Sequence, residues 1–99
     1  MQAWYPAQFE REMGCTAADL RERLPAACGN RPVTSFIDGA EVAIDPGRLR
    51  VQWSTLAPRR IALLNMPRLA VSFRFEGIDE ATRQKVMRHF DLFTQRGGG

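Results

Sequence analysis

The sequence predicts a two-layer α+β fold, an antiparallel β-meander of about five strands with an N-terminal helix and a C-terminal amphipathic helix packed on one face. In Arg68–Glu76 apolar and polar side chains alternate strictly, as in a strand with one buried face. A helical pattern follows, because Asp79 is a suitable N-cap and Val86, Phe90 and Phe93 fall on one helix face. A strand followed by an amphipathic helix allows two apolar surfaces to meet.

The N-terminal quarter predicts helix. Residues 1–14 are expected to form an arm or a short helix, in which Phe9 and Met13, four positions apart, share a face. Thr16 and Asp19 form the pattern of a capping box, which predicts that a further helix begins there.

The middle of the chain predicts strands. Five strand-like segments lie between short turns: Val33–Ile37, Ala40–Ile44, Arg48–Thr55, Arg60–Leu64 and Arg68–Glu76. The Asp38-Gly39 pair favours a tight hairpin turn, and Ala57-Pro58 is expected to end the third segment. Because consecutive strands joined by short turns usually pair as neighbours, these segments predict an antiparallel meander.

The C-terminal helix is predicted to continue to Arg96, with Met87 at the edge of its apolar stripe. Leu92 lies outside that stripe, on the same side as Lys85 and Arg88. Gly97–Gly99 predict a flexible tail. At 99 residues, the chain is expected to form a single domain spanning residues 1–99.

Composition narrows the class of protein. A hydrophobic content of 44% with 25% charged residues is typical of a globular domain. No apolar run approaches the length of a membrane span, and the first residues lack the pattern of a signal peptide, so we expect a cytoplasmic protein without membrane contact. Cys15 and Cys28 flank a predicted helix, which would separate their sulfurs by about 15–20 Å, so no disulfide is expected. Neither belongs to a CxxC pair and both are far in sequence from His89, the only histidine, so no metal site is expected.

Arginine is the dominant basic residue: Lys85 is the only lysine, and the net charge is +3. Four arginines fall on the polar faces of predicted strands, namely Arg48, Arg50, Arg68 and Arg74. Side by side, they would form a surface for nucleic acid or a nucleotide. Polar strand faces also carry charges for solvation alone, and an arginine excess also arises from a GC-rich genome.

No pattern of catalytic residues or of a cofactor-binding loop is recognised, so no catalytic residue and no cofactor is expected. We therefore expect a bacterial-type cytosolic binding module that engages another protein or a second copy of itself. Apolar residues outside the predicted stripes are its candidate anchors, with a basic rim beside them: Trp4, Phe9 and Leu92, with Lys85 and Arg88.

Two alternatives stay open. The first is binding of nucleic acid or a nucleotide by the four arginines, which a contiguous exposed arginine face would favour. The second is an apolar pocket for a small ligand, with Trp53, Met66 and Phe73 among its candidate lining residues. A contiguous exposed apolar patch would favour protein binding instead.

Overall fold

The computed structural model describes residues 2–96, so the tail predicted at Gly97–Gly99 lies outside the described residues. Its elements are β1 (Gln8–Met13), α1 (Ala17–Ala27), β2 (Val33–Phe36), β3 (Gly39–Ile44), β4 (Gly47–Ile61), β5 (Leu64–Glu76) and α2 (Glu80–Arg96). The strands form one antiparallel sheet in the order β1-β5-β4-β3-β2. The predicted α+β architecture, with five antiparallel strands and two helices, is confirmed.

The N-terminal segment differs from the prediction, because it forms an edge strand and not a short helix. β1 pairs with β5 from Gln8 opposite Arg74 to Met13 opposite Leu69. A spacing of four, as between Phe9 and Met13, places two side chains on one face of a strand as well as of a helix. The free edge of β5, more than fifty residues away in sequence, supplies the hydrogen bonds that favour the strand.

The region predicted as a separate strand, Arg60–Leu64, is the end of a long hairpin. β4 continues to Ile61, and a two-residue turn, Ala62-Leu63, leads directly into β5. A register shift between Leu56 and Arg59 accommodates Pro58, so the chain bulges there and does not end its strand. The sheet therefore reaches five strands because β1 joins it.

Both predicted helix starts are confirmed. The hydroxyl of Thr16 accepts the backbone N–H of Asp19 at 3.1 Å, and the Asp19 carboxylate accepts the N–H of Thr16 at 3.3 Å. The carboxylate of Asp79 accepts the N–H of Thr82 at 2.8 Å at the start of α2. Each side chain satisfies a backbone donor that has no partner within its helix.

The core lies between one face of the sheet and the two helices. Val51, Val71 and Phe73 are buried at the centre of the sheet, and Phe90 of α2 meets Phe73 edge to face at 5.4 Å between ring centroids. Met87 is completely buried, whereas Phe93, predicted within the stripe, is 36% exposed. The buried face of α2 is thus rotated towards Met87.

Polar contacts explain this rotation. Asp91 of α2 is buried and accepts hydrogen bonds from the Tyr5 hydroxyl and from the Arg11 guanidinium, each at 2.5 Å. Gln84 accepts the backbone N–H of Tyr5 at 2.8 Å and donates to its carbonyl oxygen at 2.7 Å. Burial, reinforced by the bond to Asp91, raises the pKa of Tyr5 to about 12. These contacts fasten the N-terminal segment to α2.

Candidate interaction surface

The β4–β5 hairpin extends beyond the rest of the sheet. β1 ends where Met13 faces Leu69, and β3 begins where Gly39 faces Gln52, so residues 56–68 pair only with each other. We call this two-stranded segment the ribbon. At about 3.3 Å per residue it projects roughly 20 Å past the end of β1, in keeping with overall dimensions of 46 × 30 × 21 Å.

The ribbon carries large apolar side chains on one face. Side chains alternate along β5, so Leu64 and Met66 point to the same side as Arg68, away from the helices. Ile61 lies opposite Leu64 and shares that side. We call the sheet face away from the helices the open face. The apolar residues that the ribbon carries on this face form what we call the strip: Leu56, Ile61, Leu64 and Met66.

Three of the four residues of the strip are exposed to solvent, and Leu56 is half-buried. Ile61 and Leu64 are 51% and 65% exposed, and Leu63 in the turn is fully exposed. Ala62 has a φ of 55°, a left-handed conformation that costs a residue with a Cβ roughly 1 kcal/mol. Exposed apolar residues that lie together mark binding surfaces, and strained turns often accompany them.

The edges of the ribbon are protected against strand pairing. Pro58 on β4 and Pro67 on β5 have no backbone N–H, and the bulge beside Pro58 breaks the regular spacing of donors and acceptors. These features disfavour the addition of another strand along either edge. The ribbon is therefore suited to contact through its open face.

A shallow depression of about 550 Å³ lies at the base of the ribbon. On the open face it is lined by the small side chains Ser54, Ala70 and Ser72, which we call the floor. The larger side chains Gln52 and Leu56 also line it. Carboxylates border it from both sides, Glu10 and Glu12 on β1 and Asp38 in the turn between β2 and β3. Within residues 2–96, Glu10 and Asp38 form no ion pair, whereas Glu12 binds Arg68 at 2.7 Å.

The four predicted arginines do share the open face, but glutamates lie among them. Arg50 is directly opposite Arg74, and Arg48 is opposite Glu76, to which it donates at 2.9 Å. Glu41 lies 3.5 Å from Arg48 and 4.0 Å from Arg50. The pKa of Glu76 is held below its usual value by its hydrogen bond to Arg48. This alternation of charge leaves the open face nearly neutral, unlike a surface built to attract phosphates.

The predicted anchors are divided between separate surfaces. Lys85, Arg88 and Leu92 are together on the solvent-facing side of α2. Trp4 lies near the other end of that helix, where its indole N–H donates to Glu80 at 2.7 Å. Glu80 and Leu92 are about 18 Å apart along the helix axis, at 1.5 Å per residue.

Phe9 is partly buried and packs against the core. Its ring stacks on Phe73 at 4.9 Å and lies 5.9 Å from the ring of Tyr5. The candidate pocket residues are also separated, because Trp53 and Phe73 belong to the core whereas Met66 is on the ribbon. Arg21 of α1 covers the Trp53 ring, with its guanidinium carbon 5.4 Å from the ring centroid.

The groups considered for catalysis or metal binding are engaged in the fold. Burial raises the pKa of the Cys28 thiol to about 12 and also raises that of Cys15, so both thiols are protonated at neutral pH. The Nδ1 of His89 is 2.8 Å from the carbonyl oxygen of Ala27. In the part of the chain that the structure describes, no three His, Cys, Asp or Glu side chains are grouped as metal ligands.

Sequence reasoning missed the strip because the segment was divided between a short strand and a turn. One signal was available: Ile61, Leu63, Leu64 and Met66 cluster between two prolines, with Arg59, Arg60 and Arg68 beside them. No apolar stripe of a predicted helix or strand required all four of these residues. A cluster of apolar residues that no predicted core requires is therefore the signal by which the sequence indicates this surface.

Comparison with known proteins gives no match: no family model, no curated protein and no solved structure is significantly similar to this chain. Neither helix within residues 2–96 combines the length and the apolar character needed to cross a bilayer.

Proposed function

We propose that this chain is a non-catalytic binding module that engages protein through the open face of its ribbon. The observation that carries the proposal is the strip, a contiguous set of exposed apolar side chains on a segment that contributes little to the core. Folding alone gives no reason to expose Ile61, Leu64 and Met66 together, because none of them belongs to the core.

Charge supports protein over nucleic acid as the partner. Five arginines on the open face are accompanied by four glutamates: Arg48, Arg50, Arg59, Arg68 and Arg74, with Glu10, Glu12, Glu41 and Glu76. The aromatic residues at the centre of the sheet point into the core, so none is available there for bases to stack on. An apolar strip bordered by mixed charges has the composition of a protein interface.

The protein acts, in this proposal, in the cytoplasm of a bacterium. Two free and buried cysteines are compatible with a reducing compartment. The non-catalytic assignment is supported by the protonated state of both thiols and by the contact of His89 with a backbone carbonyl.

Site-specific photo-crosslinking in cells tests the proposal. A photoreactive phenylalanine analogue replaces Leu64 on the strip or, as the matched control, Leu92 on α2, since both are exposed leucines. We expect protein adducts at Leu64 that disappear when Met66→Asp is added. Adducts at Leu92 alone would show that the binding site is not the ribbon but the surface of α2 that was predicted from the sequence. If neither position gave a protein adduct, the binding proposal would be refuted.

A further inference from the structure

We infer that the partner of the ribbon is a second copy of this chain, and that two ribbons pack open face to open face in antiparallel directions. This inference rests on the proposed function and names its partner. In the dimer, the strip of each chain covers the floor at the base of the other ribbon. Two features carry the inference: the same face presents both a projecting apolar strip and a depression able to receive one, and the charges around them are complementary.

Distances along β5 fit this arrangement. Leu64 and Ser72 are eight residues apart, or about 26 Å at 3.3 Å per residue, and Arg68 lies halfway between them. A two-fold axis through Arg68 therefore places Leu64 of one chain over Ser72 of the other, and Met66 over Ala70. These two apolar side chains then meet small ones, as in the interdigitation of two packed sheets. On β4 the same axis places Ile61 over Gln52 and Leu56 over its own copy.

Charges match at the same positions. The axis places Arg59 of one ribbon above Ser54 of the other, at the edge bordered by the carboxylate of Asp38. Asp38 has no ion pair within the described residues, and the Arg59 side chain is 61% exposed, with Glu12 3.8 Å away. At the axis itself, the Arg68–Glu12 pairs of both chains lie side by side, so each guanidinium is already compensated.

Self-association suits this surface better than a lipid bilayer does. The strip is confined to the open face, where four glutamates lie among five arginines, so this face lacks the excess of basic residues that attracts a protein to an anionic membrane. A projecting segment suits a concave partner, and the floor is such a surface. The prolines and the bulge disfavour self-association by strand pairing along the edges of the ribbon.

The contact is small. A ribbon face about 10 Å wide and 26 Å long has an area of about 260 Å² per chain, or about 500 Å² for both chains together. This area is below that of a standard specific interface and is typical of a weak, transient contact. We therefore expect a reversible dimer that is populated only at high protein concentration, of the order of 100 μM or above.

Sedimentation velocity of the full chain measures that dimer. Met66→Asp is compared with Leu92→Asp, because both side chains are 46% exposed and only the first belongs to the strip. We expect Met66→Asp to raise the dissociation constant at least tenfold and Leu92→Asp to leave it unchanged. Circular dichroism verifies that both variants are folded. Equal effects of the two substitutions, or an effect of Leu92→Asp alone, would overturn the assignment of the interface.

Thiol crosslinking tests the geometry. Leu64→Cys and Ser72→Cys are about 26 Å apart within one chain, beyond the reach of a short bismaleimide, so this reagent joins them only between two chains. A reagent with a spacer is needed because two packed sheets are about 10 Å apart, too far for a direct disulfide. The native cysteines are buried. We expect an equimolar mixture of the two single variants to give a crosslinked heterodimer, and each variant alone to give no crosslinked dimer. A crosslinked homodimer from Leu64→Cys alone, or no crosslinked heterodimer, would overturn the antiparallel arrangement.

The failure of this inference can be distinguished from failure of the proposed function. A chain that stays monomeric at all concentrations but forms Leu64 adducts with a different protein overturns self-association and leaves the binding module intact. A monomer that instead sediments with vesicles of anionic phospholipid, in a manner lost in Met66→Asp, overturns both in favour of a membrane surface.

Discussion

The contact between the N-terminal segment and α2 gives the sharpest stability prediction. Asp91 is 3% exposed and accepts hydrogen bonds from Tyr5 and Arg11. Asp91→Asn removes the negative charge and leaves Arg11 facing a neutral amide. Removal of one partner from a buried ion pair costs about 3–5 kcal/mol. Because the Arg11 side chain is 20% exposed and keeps some contact with water, we expect the lower end, about 3 kcal/mol.

Urea and thermal denaturation measure this loss. For a domain of about this size, 1 kcal/mol corresponds to about 4–8 °C in Tm, so a loss of about 3 kcal/mol in Asp91→Asn is expected to lower Tm by roughly 12–24 °C. Tyr5→Phe removes only the hydroxyl bond to the carboxylate and is expected to cost about 2 kcal/mol. Since the two residues share one contact, the double variant should lose less stability than the two single losses added together.

A surface ion pair provides the control. Glu12→Gln disrupts the 2.7 Å contact with Arg68, but both side chains are substantially exposed, so we expect a much smaller loss than for Asp91→Asn. A loss below about 1 kcal/mol for Asp91→Asn, or full additivity with Tyr5→Phe, would refute the view that this cluster holds the N-terminal segment to the helix.

Three further predictions concern the sheet, the tyrosine and the arginines. A Cβ on Gly47 would lie 2.0 Å from a backbone oxygen of β5, whereas a Cβ on Gly14 would meet nothing within 4 Å. In urea denaturation, Gly47→Ala should therefore lower the free energy of unfolding by about 2 kcal/mol, and Gly14→Ala should leave it almost unchanged. Tyr5 is the only tyrosine, so tyrosinate absorbance should rise around pH 12 in the folded protein and around pH 10 in urea. Because the pKa of Tyr5 is raised in the folded state, its contribution to the free energy of unfolding is complete below pH 10 and is lost between pH 10 and 12, and the raised pKa of Cys28 adds to this loss from about pH 9. When labelled oligonucleotides are titrated with the native protein or with the Arg50→Glu/Arg74→Glu variant, their fluorescence anisotropy should not rise at physiological salt. Micromolar binding by the native protein that is abolished by salt and by this double substitution would favour the nucleic-acid alternative.

The sequence by itself determined the elements whose signals are local. Alternation in the second half of β5 identified its two faces, and the side chains of Thr16 and Asp79 marked where α1 and α2 begin. Leu92 was correctly placed outside the buried stripe. Such features depend on backbone geometry over a few residues, so the order of residue types is sufficient to predict them.

Only the tertiary structure decided how the strands combine. Arg11 interrupts the apolar row of β1 and conceals its alternation, because its partner, Asp91, is eighty residues away in sequence. Likewise, Pro58 and Pro67 resemble strand ends until the ladder between β4 and β5 is seen to continue past both. The strip depends on that ladder, since a surface exists only when distant residues are brought to the same face. Pairing of this kind is set by hydrogen bonds and contacts across the whole chain, which local periodicity does not encode.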